Sequence, residues 1–245
     1  LNWVENMKVA MNSVLENGKI LEASICYTGD ILDKKNKKYD LEYYLNMANE
    51  LKNFGAHIIG LKDMAGLLKP EAAKLLIKSL KKEINLPIHF HTHDTSGIGS
   101  ATILAASEAG VDIVDLAMDA FSGGTSQPCL GSVINSLNDT NRKTDINLVD
   151  VRRINSYWDK IRPNYSYFEA GLASPASEVY QHEMPGGQFT NLKAQAKSLG
   201  LENRWEEIAH NYSEVNQMFG DIIKVTPSSK VVGEMALLMV TQGLS

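Results

Sequence analysis

The stretch HFHTHDTSG, residues 89–97, holds three of the chain's six histidines at alternate positions, followed by an aspartate and a small-residue turn. Side chains two apart on a strand share a face, so a strand here points His89, His91 and His93 the same way. Two imidazoles at i and i+2 near a strand end can grip one cation. In a barrel whose active site opens at the strand ends, His91 and His93 lie nearest the mouth. His89 then sits one layer deeper, as a hydrogen-bonded core residue. The competing reading packs all three histidines as ordinary core or surface residues.

Lys62, in GLKDMAG, ends the apolar run before it. A lysine facing a partly desolvated cavity is biased toward the neutral amine. That amine can form a Schiff base, act as a base, or take up CO2 to become an anionic carbamate ligand. The bland alternative pairs Lys62 with a carboxylate such as Asp63. In KVTPSSKVVGEMALLMV, Thr226 reads as a helix N-cap, with Pro227 at the first helical position and an apolar run behind it. MPGGQFTN and FSGGTSQP read as Gly-rich turns before they read as phosphate cradles.

The elements that position these residues alternate. WVENMKVAMNSVLENG has helical apolar spacing, and LEASICYTGD follows as a strand. DLEYYLNMANELKNFG is a helix with Asp40 as N-cap and Gly55 as its stop. AHIIGLKD (strand), KPEAAKLLIKSLKKEI (helix), LPIHFHTHD (strand), GSATILAASEAG (helix) and VDIVDLAMD (strand) continue the pattern. Each strand closes on an aspartate before a small-residue turn: Asp30, Asp63, Asp94 and Asp119. One strand and one helix per unit implies parallel pairing with right-handed crossovers. The short units, and the lack of a glycine fingerprint after the first strand, favour a barrel over a dinucleotide fold. Strand ends at YTGD, GLKDMAG and HFHTHDTSG would set Tyr27, Lys62, His91, His93 and Asp94 around one mouth.

Polar sequence over 135–147 breaks the alternation, and the remainder of the chain reads as helices only, with no further strand. The expected fold class is α/β, the C-terminal half of a TIM (β/α)8 barrel followed by a helical region. The expected division falls at 1–145 and 146–245. Four strands leave two open edges, so the chain is expected to be a fragment lacking the first barrel strands. Its first residue, Leu rather than Met, agrees with that.

Composition narrows the classes. With 44% hydrophobic residues and a formal net charge of −5 over 245 residues, the chain can bury a large core and lacks the basic surface that nucleic acid requires. Two distant cysteines do not make a disulfide framework, which points to a reducing, cytoplasmic setting. No apolar run approaches the roughly 20 residues needed to cross a membrane.

GLKDMAGLLKP, HFHTHDTSG, DAFSGGTSQP, SPASEVYQHEMPGGQFTNL and KVTPSSKVVG, in this order, resemble the carboxyltransferase domain of the pyruvate carboxylases over nearly the whole chain. KDMAG and H-x-H are shared with related biotin-dependent decarboxylases and transcarboxylases. The resemblance implies that Lys62 is carboxylated and binds a divalent ion, zinc or manganese, through its carbamate, with His91 and His93 as the imidazole ligands. It implies that Thr226 shuttles a proton between the pyruvate methyl group and biotin, and that Ser229 holds the ureido oxygen of biotin. The implied reaction moves CO2 from carboxybiotin, carried on another domain, to pyruvate, giving oxaloacetate. ATP would be used only by a domain absent here. The rest of the longer chain, and further copies in a homo-oligomer, would be the partners. The family's remaining metal ligand, an aspartate on the first barrel strand, and its substrate-binding arginine and glutamine are not in this chain, so the resemblance implies that these residues alone bind metal weakly and do not turn over. Two other readings stand beside this one: a metal-dependent aldolase or lyase barrel acting on acyl-CoA or 2-oxo acid substrates, and an inert half-barrel serving assembly.

Overall fold

The computed structural model describes residues 2–169 and 174–244. Helix α1 (Val4–Glu16) precedes β1 (Glu22–Tyr27), and the chain then alternates through α2 (Leu41–Asn53), β2 (Ile58–Asp63), α3 (Pro70–Ile84), β3 (Ile88–Thr92), α4 (Gly99–Ala109) and β4 (Ile113–Val114). Helices follow: α5 (Leu130–Leu137), α6 (Leu148–Ile161), α7 (Val179–His182), α8 (Gly186–Ser198), α9 (Trp205–Met218) and α10 (Ser228–Gln242). The four strands form one parallel sheet in the order β1-β2-β3-β4, with a helix between each consecutive pair.

Local chemistry sets the boundaries. The Asp40 carboxylate accepts from the Tyr43 amide at 2.9 Å and starts α2. Pro70 occupies the first turn of α3, where its missing N–H is not needed. Gly110, with φ of 103°, ends α4 in the left-handed conformation. The strand-end aspartates tie down the loops that follow them. Asp63 accepts from the Leu67 and Leu68 amides, Asp94 from Gly99, and Asp119 from Gly131, at 2.8 to 3.0 Å.

Strand register gives the sheet two unlike faces. Ile25, Tyr27, Ile59, Leu61, Asp63, Ile88, Phe90 and Thr92 are buried, on the face covered by the helices. Leu76, Ile77 and Leu80 of α3 belong to the same core. Each such apolar side chain contributes about 1.5–3 kcal/mol by leaving water. The opposite face carries Glu22, Ser24, Lys62, His89 and His91, polar side chains that stay partly or wholly open to solvent. A second core, built by α8, α9 and α10 around Leu192, Ile208, Tyr212 and Val232, lies beside the first.

Several expectations are corrected here. β1 stops at Tyr27, short of Asp30, and β4 is only two residues long. Tyr27 is not at the mouth: it shares register with Asp63, is buried on the helix face and stacks on Tyr44 with ring centroids 5.3 Å apart. Helix α5 runs into the stretch read as polar connector. MPGG is not a free turn, because α8 begins at Gly186.

Candidate functional site

β3 delivers the histidines as its alternation requires. His91 is the register partner of Lys62 on β2, and His89 that of Gly60. His93 lies just past the strand end, and its ring meets that of His91 edge-on, with centroids 5.2 Å apart. Lys62, His89, His91, Glu22 and Asp115 line a cavity of about 190 Å3 on the open sheet face. Larger cavities of about 540 and 800 Å3 lie among α7, α8 and α9 and beside the 29–38 loop. Neither of these is lined by Lys62 or His91, and His93 lines none of the three.

Hydrogen bonding fixes the tautomers of both outer histidines. The His93 Nδ1 lies 2.6 Å from the Thr125 carbonyl oxygen, and the His91 Nδ1 lies 2.7 Å from Asp115 Oδ2. A carbonyl and a carboxylate can only accept, so each Nδ1 carries a hydrogen, and in a neutral ring that leaves the lone pair on Nε2. A metal-ligating histidine takes this form. Burial pulls the His93 pKa below its ordinary value, with His91 and Lys62 nearby adding to the effect against the Thr125 hydrogen bond. His93 is therefore held neutral, the ligating state.

His89 is hydrogen-bonded as expected but lies on the open face rather than in a core. Its Nδ1 is 2.9 Å from Glu22 Oε1. Its Nε2 is 3.0 Å from Asp115 Oδ1, off the line of a good hydrogen bond. Burial works to lower the His89 pKa, but the carboxylates of Asp115 and Glu22 outweigh it and raise the net value. Burial would raise the Asp115 pKa, and its contacts with His91 and His89 overcome that and lower it.

Lys62 is exposed on the open face, so the desolvation expected of it is missing. It does not pair with Asp63, whose carboxylate points to the other side and accepts from Thr92 Oγ1 at 2.8 Å. Among the described residues Lys62 makes no ion pair, and no three His, Cys, Asp or Glu side chains gather to hold a metal ion.

Thr226 is exposed two residues before α10 and does not cap it. Pro227 holds the N-cap position with no side-chain cap, and the Ser228 hydroxyl bonds back to the Ile223 and Val225 carbonyl oxygens. Ser229 is buried in the first turn of α10. Among the described residues no hydrogen bond or shared cavity joins Thr226 or Ser229 to the histidines. The connection runs through α8. Gly186 donates its amide to the Met64 carbonyl of KDMAG at 2.9 Å, and a Cβ on Gly186 would come within 2.8 Å of His93 Nδ1 and 2.9 Å of the Thr125 oxygen. Gly233 of α10 packs in turn on Gln188 and Leu192 of α8. FSGGTSQP is a turn, as read, and its task is to present the Thr125 carbonyl to His93. Gly66, with φ of 70°, sits against the His93 carbonyl where no Cβ fits. Asp115 and Gly186 do not stand out in the sequence. The alternation of VDIVDLAMD alone could have put Asp115 on the histidine face.

A parallel α/β sheet with His91 and His93 together at the end of one strand sets the class of fold and site, and the chain belongs to the HMGL-like family. That family's profile matches residues 30–157, just over half of the 245. A second profile, described as a conserved carboxylase domain, matches residues 179–245. The more particular likeness is to pyruvate carboxylase. The Bacillus subtilis protein of that name is 54% identical over 245 residues, covering 100% of this chain and 21% of that protein, and the Staphylococcus aureus protein gives the same figures. The structure of the carboxyl transferase domain from Rhizobium etli pyruvate carboxylase superposes with a TM-score of 0.98 at 63% identity, covering 100% of this chain and 41% of that one. That Rhizobium etli domain has also been solved with pyruvate and biocytin. The chain spans about a fifth of the length of its curated relatives. Among the described residues no helix is long and apolar enough to cross a membrane.

Proposed function

We propose that this chain contributes half of a (β/α)8 barrel, 1–145, and an adjoining helical region, 146–245, to a longer homo-oligomeric protein. There it moves CO2 from carboxybiotin to pyruvate, giving oxaloacetate. One observation carries the reading: His91 shares register with Lys62 on the open polar sheet face, and His93 follows just past the end of the same strand, each imidazole held at Nδ1 by an acceptor oxygen. The likeness to pyruvate carboxylases over the whole chain supports it. Both cysteines carry free thiols, which suits a cytoplasmic setting.

His91, His93 and Lys62, the last as its carbamate, would hold a zinc or manganese ion through mixed nitrogen and oxygen ligation. When bound, such an ion polarises the carbonyl of a 2-oxo acid and so acidifies the neighbouring methyl protons. The exposed Lys62 amine is accessible to dissolved CO2, as carbamate formation requires. Partly buried His93, its pKa lowered by desolvation, stays neutral and keeps its lone pair available. The Thr226 hydroxyl, released from capping, can pass a proton between the pyruvate methyl group and biotin without becoming charged. Ser229, three residues on at the same helix start, would hold the ureido oxygen of biotin. Carboxybiotin would arrive from another segment of the longer protein, where ATP is also used.

The test replaces Lys62 with Gln in the longer protein, followed by metal analysis and an oxaloacetate assay. Bound metal and transfer to pyruvate should both fall, with ATP-dependent carboxylation of biotin unchanged. Undiminished metal content would instead favour the aldolase or lyase reading, in which the ion does not need Lys62.

A further inference from the structure

We propose that Asp115 is the positioning residue that holds His91 in its ligating tautomer and orientation. The proposal rests on the metal-binding reading above and assigns that site a supporting carboxylate. Asp115 directly follows β4, and its amide donates to the Phe90 carbonyl at 3.2 Å, so the strand pairing fixes its backbone against β3. Its Oδ2 lies 2.7 Å from His91 Nδ1, and its Oδ1 lies 3.0 Å from His89 Nε2. His89 in turn reaches Glu22 Oε1 at 2.9 Å. A chain of side chains, Glu22, His89, Asp115 and His91, thus crosses the open face from β1 to the end of β4.

The two outer histidines differ in what holds them. His93 is oriented by the main-chain carbonyl of Thr125, which no substitution at that position removes. His91 is oriented by a side chain. A carboxylate behind a ligating imidazole fixes its tautomer and raises its basicity. His89 stands against the other Asp115 oxygen at 3.0 Å, a close charge contact rather than an aligned hydrogen bond, and Glu22 holds the far side of the His89 ring at 2.9 Å. If the network only held the sheet together, losing Asp115 would change stability and leave metal affinity untouched.

The experiment measures zinc dissociation by chelator competition in the longer protein, for the wild type, Asp115→Ala, Asp115→Asn, His89→Gln and Lys62→Gln. Melting of each metal-free variant reports folding. Asp115→Ala should weaken zinc binding by about 10–100-fold. Asp115→Asn keeps an acceptor oxygen and the shape of the side chain, so it should weaken binding several-fold and recover part of the loss. His89→Gln, which removes that charge contact alone, should lose less than Asp115→Ala. Unchanged affinity in Asp115→Ala overturns the proposal, as does unchanged affinity in Asp115→Asn should the alanine variant misfold. A wild-type protein that binds no zinc above the Lys62→Gln background overturns the metal-binding reading itself.

Discussion

Gly186→Ala is a sharp probe of how the helical region meets the histidines. The added Cβ would sit 2.8 Å from His93 Nδ1 and 2.9 Å from the Thr125 carbonyl oxygen. The second of these is main chain in a turn bridged to Asp94, so it has little room to yield. Overpacking of this kind costs about 1–3 kcal/mol. Wedging apart the His93–Thr125 hydrogen bond adds ~1 kcal/mol, and alanine's helix preference returns up to ~1 kcal/mol. The net cost is about 1–3 kcal/mol. Gly187 is the internal control, since a Cβ there meets nothing within 4 Å. Hydrogen–deuterium exchange over 184–192 in the longer protein reads the result locally. Gly186→Ala should exchange roughly 5- to 150-fold faster, and Gly187→Ala should match the wild type or exchange more slowly. Metal affinity should fall with the first and hold with the second. Equal behaviour of the two variants would refute the argument that α8 approaches closely enough to lock His93.

Two further outcomes concern buried groups. His182 accepts from the Met184 amide at 3.0 Å, and burial holds its pKa down to about 4 from 6.5. The unfolded chain takes up that proton first, so stability is complete above about pH 6.5 and falls by roughly 3 kcal/mol as pH drops toward 4. Denaturation midpoints across that range should show the decline, and His182→Gln should flatten it. Phe90, fully buried on the helix face of β3, should cost about 3–5 kcal/mol as Phe90→Ala. The exposed Ser24→Ala on the other face should cost almost nothing, and urea titration of both variants compares them directly.

Helices with strong end signals were legible: Asp40, Gly55 and Pro70 each marked a boundary that the structure keeps. The common face of His89 and His91 came from strand periodicity alone. The same parity, carried across to β1, would have removed Tyr27 from the mouth. Sequence does not supply register between strands, and Tyr27 and Lys62 fall on opposite faces only once β1 and β2 are aligned. Thr226 does not cap α10 because the helix starts one residue later than the sequence reading placed it, with Pro227 at the N-cap position and no side chain bonded to the free amides. Asp115 went unremarked because its partners lie on other strands. Gly186 reads as turn chemistry until His93 and Thr125 are seen beside it.

Lys62 and Asp63 are chain neighbours that serve opposite sides of the sheet, one facing the cavity and the other buried to anchor the loop after β2. That division has no redundancy against a shift of reading along the strand. Deleting one residue from Ile58–Gly60 would turn Lys62 into the packed core and send a carboxylate to the histidines, losing the ligand and the loop anchor together. Point substitution can alter either role alone, but an insertion or deletion cannot. Redesign of this strand is therefore confined to exchanging side chains at fixed length, and natural variation in length should be confined to the loops on either side of β2.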